Sequence, residues 1–310
     1  MVLKRLIVLL MLLAAIACST ERGDEEFFAP GGAGVPVVDA VLVVGKPFPD
    51  VYVTRTLSPD QPFSYAAAGV VGAQVRIASG ATTLDYVDAD DGRYRVNAPF
   101  VVQPATTYRL TVTLPDGHVV RATTTTPEPL RVREWVLLDD SGTNVVQRLT
   151  GFGEISGAPE DTVYTENQLT FSQGLLEVRL EDDPAVGYQV QLQSLDLNSP
   201  LLIDTSFLNE DDLDNFTRLN QSPPFAPTQS YLRAPWFAIY YQGRYKVRVF
   251  KLDRNWYDLA RTDPVLGSGG FGFGGEAGDN TVPPLFHVDG GVGLFGSMSS
   301  DSVGFYVNAP

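Results

Sequence analysis

From Val37 to Thr126 the sequence alternates short apolar runs with turn residues about every ten positions, a rhythm that fits strands and little else. Val37 to Val44 is almost wholly apolar, which predicts a buried strand. Val51, Val53 and Arg55 predict a second strand ahead of the turn residues Ser58, Pro59 and Asp60. Between Val71 and Ile77, the residues Ala73, Val75 and Ile77 fall on one face, with Gln74 and Arg76 on the other. Asp90, Asp91 and Gly92 make a turn that leads into Tyr94 and Val96. Tyr108, Leu110 and Val112 share a face opposite Arg109, Thr111 and Thr113. Pro115, Asp116 and Gly117 then close a hairpin, and Val119 to Thr126 is its return strand. Such a stretch of roughly 90 residues predicts a β-sandwich. The chain's 29 glycines and 22 prolines favour many turns over long helices.

Thr126 to Pro129 is read as a domain junction. Beyond it, strands are expected at Val132 to Leu138, Leu169 to Phe171, Leu175 to Leu180, Tyr188 to Leu192 and Tyr245 to Leu252. Leu252 to Thr262 predicts a short helix around Trp256, Tyr257 and Leu259, ended by Pro264. A glycine-rich loop spans Gly267 to Gly278, followed by Phe286 to Val288, a glycine-punctuated run from Gly290 to Gly296, and a last strand from Ser302 to Val307. At 310 residues and 44% hydrophobic content there is enough apolar material for two cores.

The one cysteine, Cys18, excludes an intramolecular disulfide and a cysteine-based zinc cluster. Its position is more informative than its number. Lys4 and Arg5 precede an apolar run from Leu6 to Ala17, the layout of a secretory signal peptide. That run is shorter than the roughly 20 residues a permanent membrane helix needs. Ala15, Ile16 and Ala17 before the cysteine resemble a bacterial lipobox, in which cleavage between Ala17 and Cys18 leaves a lipidated N-terminus. Removal of residues 1–17 takes Lys4 and Arg5 with it and moves the formal charge from −15 to −17. Ser19 to Gly34, with Asp24, Glu25, Glu26, Pro30, Gly31, Gly32 and Gly34, reads as a flexible acidic tether. The expected organisation is signal peptide (1–17), lipidated cysteine and tether (18–35), β-sandwich (36–127) and a second β-rich domain (128–310) with at most one or two short helices.

Three runs carry a resemblance. Val71-Gly72-Ala73-Gln74-Val75, Asp91-Gly92-Arg93-Tyr94 and Tyr108-Arg109-Leu110-Thr111-Val112 are similar to the prealbumin-like, carboxypeptidase-regulatory-type sandwich, an Ig-like β fold. In such a small core the tyrosines are expected to cap the apolar layer with their hydroxyls in water. The whole layout resembles a Bacteroidota lipoprotein family defined by domain of unknown function 4249. Its closing Gly-Gly-x-Gly-x-Phe-Gly signature matches Gly290, Gly291, Gly293, Phe295 and Gly296. The family often sits beside TonB-dependent receptors. The resemblance therefore implies an accessory lipoprotein of the outer membrane, facing either the periplasm or the medium.

The inventory for catalysis is thin. His118 follows the Asp116-Gly117 turn and is expected to be exposed, whereas His287 lies between Phe286 and Val288 in an apolar strand. Ser297 follows Gly296, but Met298 and Ser299 do not continue a Gly-x-Ser-x-Gly elbow. Gly267 to Gly272 matches Gly-x-Gly-x-x-Gly in letters, yet no helix follows as dinucleotide binding requires, so it reads as an aromatic loop carrying Phe271 and Phe273. Carboxylates cluster at Asp88, Asp90 and Asp91, at Glu181, Asp182 and Asp183, and at Glu210, Asp211, Asp212 and Asp214. These are oxygen ligands suited to calcium, although an EF-hand's distal glutamate is missing. No cofactor is expected, with calcium the one cation the clusters suit.

With 37 acidic against 22 basic residues, nothing neutralises phosphates, which excludes a nucleic-acid partner. The expected function is a non-enzymatic binding or assembly module, anchored in the outer membrane through lipid and working with a TonB-dependent receptor. A calcium- or glycan-binding, adhesin-like surface protein is the alternative, and a hydrolase using His287 or an acidic pair ranks third.

Overall fold

The computed structural model describes residues 34–58, 60–96, 100–150, 160–170, 175–181, 185–202, 216–226, 230–234, 239–262 and 283–310. The chain is mainly β. The first half holds β1 (Pro36–Val43), β2 (Val51–Arg55), β3 (Gln74–Ser79), β4 (Thr82–Asp88), β5 (Arg93–Arg95), β6 (Thr107–Thr113) and β7 (Val119–Thr125), with one helical turn, α1 (Tyr65–Ala68). The second half holds β8 (Val132–Leu138), β9 (Val145–Leu149), β10 (Gln168–Thr170), β11 (Leu175–Leu180), β12 (Gly187–Ser194), β13 (Leu219–Gln221), β14 (Tyr231–Ala234), β15 (Gly243–Leu252), β16 (Val288–Asp289) and β17 (Val292–Asn308). Its two helices are α2 (Glu160–Glu166) and α3 (Arg254–Thr262).

Side-chain alternation explains the first half. Val75 and Ile77 of β3 are buried while Gln74 and Arg76 are exposed; Tyr108, Leu110 and Val112 of β6 are buried, opposite the expected polar face. The β3–β6 and β6–β7 pairs are antiparallel, and the turn at Gly117 adopts a positive φ of 86° that favours glycine. β1 departs from its apolar appearance. Val38, Ala40 and Leu42 face the core, whereas Asp39 is exposed and Val37 and Val41 are half-covered. It is a one-face strand, because only one of its sides meets the sandwich core.

The expected wet tyrosines are also corrected. Tyr94 is fully buried, and its hydroxyl donates to the Val70 carbonyl at 2.7 Å and accepts from the Ala73 amide at 2.9 Å. Tyr108 accepts from the Gln103 amide at 2.9 Å, and Tyr86 donates to the Pro49 carbonyl. These hydroxyls close loops that would otherwise leave backbone groups unpaired beside the core.

Two apolar clusters form. One draws on residues from Val38 to Ala122 together with Phe295, and the other on residues from Leu130 to Val307. A single mixed sheet runs past both, in the order β13-β12-β15-β17-β1-β2-β5-β4-β3-β6-β7-β16, and a second sheet has the order β14-β11-β8-β9. β17 joins the halves. Its first residues pair in parallel with β1, from Val37 opposite Val292 to Val43 opposite Met298, and its later ones pair antiparallel with β15. The glycine run and the last strand, separate on sequence rhythm, are thus one strand of 17 residues.

Candidate functional site

The sequence-derived candidates are scattered. Ala17 and Cys18, the glycine-rich loop with Phe271 and Phe273, Asp182, Asp183, and the run Glu210, Asp211, Asp212 and Asp214 all lie outside the described residues. Asp88, Asp90 and Asp91 form the turn before β5, with φ values of 72° and 53° at Asp90 and Asp91. Both carboxylate oxygens of Asp88 are already engaged, one accepting from the Gly72 amide at 2.7 Å and the other from the Asp90 amide at 3.0 Å. The turn closes on backbone, and among the described residues no three His, Cys, Asp or Glu side chains group as cation ligands.

The hydrolase components are not brought together. His118 donates from Nε2 to the Gly290 carbonyl at 2.6 Å. His287 sits outside the strand expected for it, just before β16, with 41% of its side chain exposed, and bonds the carboxylate of Asp258 at 2.9 Å. Ser297 is fully buried and bonds Thr124 at 2.7 Å. Thr124 in turn donates to Asp253, whose other oxygen accepts the Trp256 amide and so caps α3. Burial raises the Asp253 pKa above its ordinary 3.8. Asn255 donates to the carbonyls of Thr123 and Phe295 at 2.7 and 2.8 Å. This network ties β7, β17 and α3 together in the interior.

The closing signature has a packing role. Gly290 and Gly293 have positive φ, 78° and 107°. A Cβ on Gly293 would strike the Val38 carbonyl oxygen, and one on Gly291 would lie 2.7 Å from that of Pro36. The glycines let β17 approach the β1 backbone, and Phe295, 1% exposed, fills the sandwich core.

Two surfaces have the character of sites. On the four-stranded sheet, buried Glu177 accepts from Arg179 at 2.8 Å and from Arg233 at 3.0 Å. Glu134 accepts from Arg179 at 2.8 Å and Arg148 at 3.1 Å, and the Arg179 hydrogen bond holds its carboxyl below the ordinary value. Arg133, Arg179, Arg233, Tyr231 and Thr143 line a shallow polar depression of about 250 Å³ beside this network. Its glutamates already neutralise much of the arginine charge.

The second is a cleft of about 470 Å³ on the outer side of β1 and β2. Val37, Asp39, Tyr52 and Thr54 form its floor, and Thr56, Leu57, Ser58, Gln61, Phe63 and Tyr65 form its wall. Three aromatic rings line it. Tyr52 and Tyr65 have centroids 5.1 Å apart, and Phe63 meets Tyr65 edge-on at 5.3 Å. Phe63 is 64% exposed and Tyr65 47%. α1 fixes the wall: Ser64 caps it by accepting the Ala67 amide, and Gly69 at its end lies against the backbone of Asp91, where no side chain fits. Val70 then bonds the Val53 carbonyl of β2 at 3.0 Å. The incoming chain is stitched to the rim, with the Gly34 amide on the Thr56 carbonyl at 2.7 Å and Arg55 bridging the Gly34 carbonyl and Asp116. Asp39 reaches the surface, yet the protein crowding its carboxyl raises its pKa. No motif pointed to this cleft; the one sequence signal was an aromatic at each of 52, 63 and 65 amid turn residues.

Fold and site together define a mainly β protein with one large mixed sheet, a second four-stranded sheet and an aromatic surface cleft. The chain belongs to the family described as Domain of unknown function (DUF4249), whose model matches residues 33–302. No curated protein matches it. Among solved structures, the native conformation of E. coli alpha-2-macroglobulin, determined by cryo-EM, aligns with 90% of this chain at 10% identity and a TM-score of 0.20. The chain spans 25% of that protein's length.

Proposed function

We propose that the protein is a lipid-anchored lipoprotein of the Bacteroidota outer membrane, a non-enzymatic binding or assembly module that works with a TonB-dependent receptor. The observation that carries this reading is the N-terminus: Lys4 and Arg5, the apolar run from Leu6 to Ala17, and Cys18 as the one cysteine of the chain. Two acyl chains on that cysteine suffice for stable attachment. The tether from Cys18 ends at Gly34 on the rim of the aromatic cleft, so the anchor and the surface it would serve lie on one short path. At ~3.3–3.6 Å per residue, the tether reaches about 55 Å when extended. A β-rich body with two histidines engaged in separate structural bonds suits recognition better than turnover.

The test is mass spectrometry of the N-terminal peptide together with detergent co-purification. Cleavage before Cys18 with acylation of its thiol is expected, with Cys18→Ser releasing the protein from the membrane fraction. A large β-barrel is expected to co-purify from solubilised membranes. An unmodified Cys18, or repeated failure to recover a barrel under cross-linking, overturns the reading.

A further inference from the structure

We propose that the cleft on the outer side of β1 and β2 is a carbohydrate-binding site, with Tyr52, Phe63 and Tyr65 stacking on sugar faces and Asp39 and Gln61 bonding sugar hydroxyls. This goes beyond membrane anchoring and receptor partnership and does not depend on either.

Large aromatic side chains normally withdraw from water, since each carries a substantial apolar area. Phe63 and Tyr65 are nevertheless 64% and 47% exposed, and they face one recess instead of being scattered. Their rings are held in place, Tyr65 between Tyr52 and Phe63 by ring contacts and the wall by the Ser64 cap. A fixed platform loses little side-chain freedom when a ligand stacks on it.

The polar groups of the cleft narrow the class of ligand. Among the described residues, none bonds the Asp39 carboxylate, the side-chain amide of Gln61, or the hydroxyls of Tyr52 and Tyr65, yet all four residues line the cleft. They supply strong acceptors, donors, and groups that act as both. A ligand that matches must offer flat C–H faces to the rings and a rim of hydroxyls to these tips. A pyranose does both. An apolar ligand would leave the carboxylate and amide unpaired, which is costly once water is expelled. An anionic ligand would meet the Asp39 carboxylate, while the nearest cation, Arg55, is already paired with Asp116 at 2.7 Å. The cleft's volume, about 470 Å³, lies in the usual range of small-molecule sites, ~300–1,000 Å³.

The experiment is isothermal titration of the full-length protein with β-gluco-, α-gluco-, xylo- and chito-oligosaccharides. At least one series is expected to bind, with affinity rising with oligosaccharide length. Phe63→Ala and Tyr65→Ala should each weaken binding about tenfold, a typical effect of losing one stacking ring. Asp39→Asn should weaken it too, without lowering the thermal midpoint, because it removes a carboxylate whose charged form burial disfavours. Phe100→Ala, at an exposed aromatic that does not line the cleft, should leave binding unchanged. Melting midpoints no lower than wild type show that the substituted proteins are folded. Absence of binding to every series, or binding that survives the Phe63→Ala, Tyr65→Ala double substitution, overturns the proposal. Either result leaves the lipid anchor at Cys18 standing, because acylation is read separately.

Discussion

Glu177 and Arg233, 56 residues apart in sequence, meet across neighbouring strands with the arginine Nε donating to a glutamate oxygen at 3.0 Å. The glutamate is almost completely buried, and its second oxygen receives Arg179. Its removal takes the carboxylate from Arg233 and leaves Arg179 with Glu134 alone, so two arginine charges lie close together without the group between them. Glu177→Ala should therefore destabilise the protein by about 2 kcal/mol, below the value for a fully buried pair because both arginines reach solvent. Chemical denaturation measures the loss, and high salt should reduce it.

Gly293→Ala is expected to be among the most damaging substitutions in the chain. Its Cβ collides with the Val38 carbonyl, a backbone atom that cannot move without breaking the β1–β17 pairing. A loss above about 4 kcal/mol, or failure to fold, is expected. Gly117→Ala is the control: the same left-handed strain arises at a φ of 86°, but nothing lies within 4 Å. It should cost about 1 kcal/mol. Similar losses at the two positions would rule out the close-approach explanation.

Tyr94→Phe removes one oxygen and strands two backbone groups, the Val70 carbonyl and the Ala73 amide. A loss of about 2 kcal/mol is expected, with little change in the near-ultraviolet signature of the fold. The thermal midpoint checks it.

Asp253 gives a pH dependence with a definite sign. Its folded pKa is raised above the unfolded value near 3.8, so the folded state binds more protons than the unfolded state between those two pKa values. The associated stability is complete below the unfolded pKa and is lost as pH rises through the folded one. Asp50, Asp196 and Glu134 are shifted down and act in the opposite direction, so the comparison must be between variants. Asp253→Asn keeps an acceptor for the Trp256 amide and removes the titration. Relative to wild type, its thermal midpoint should rise as pH increases from about 4 towards neutrality. Parallel curves would sink the assignment.

Much of the fold was legible because one-sided burial leaves its mark residue by residue. Alternation at Gln74 to Ile77 and at Tyr108 to Thr113 placed two strands and their inward faces. The helix around Trp256 and Leu259 was equally plain. β4 was not, since apolar Val87 faces water beside buried Tyr86 and blurs the alternation that Leu84 and Tyr86 set up. The short strands β13 and β14 carry too few residues for any period to emerge. β1 misled because Val37 and Val41 are apolar without being buried. The cleft was illegible for another reason. Its residues come from positions 37 to 65, on two strands and a loop, and they converge through pairing such as Asp39 opposite Tyr52. No local motif records a neighbour reached across a ladder.

The pairing of β1 with β17 has a consequence for how the protein comes into being. The strand at residues 36–43 receives its parallel partner from residues 292–298, some 250 positions later. Phe295, which fills the sandwich core, arrives equally late. During synthesis the early strands must wait, with an unpaired edge and a gap in their core, for almost the whole chain to emerge. The late pairing leaves the first half open until the last strand is made. It also makes truncation near residue 290 a lesion of the first half of the protein as much as of the second.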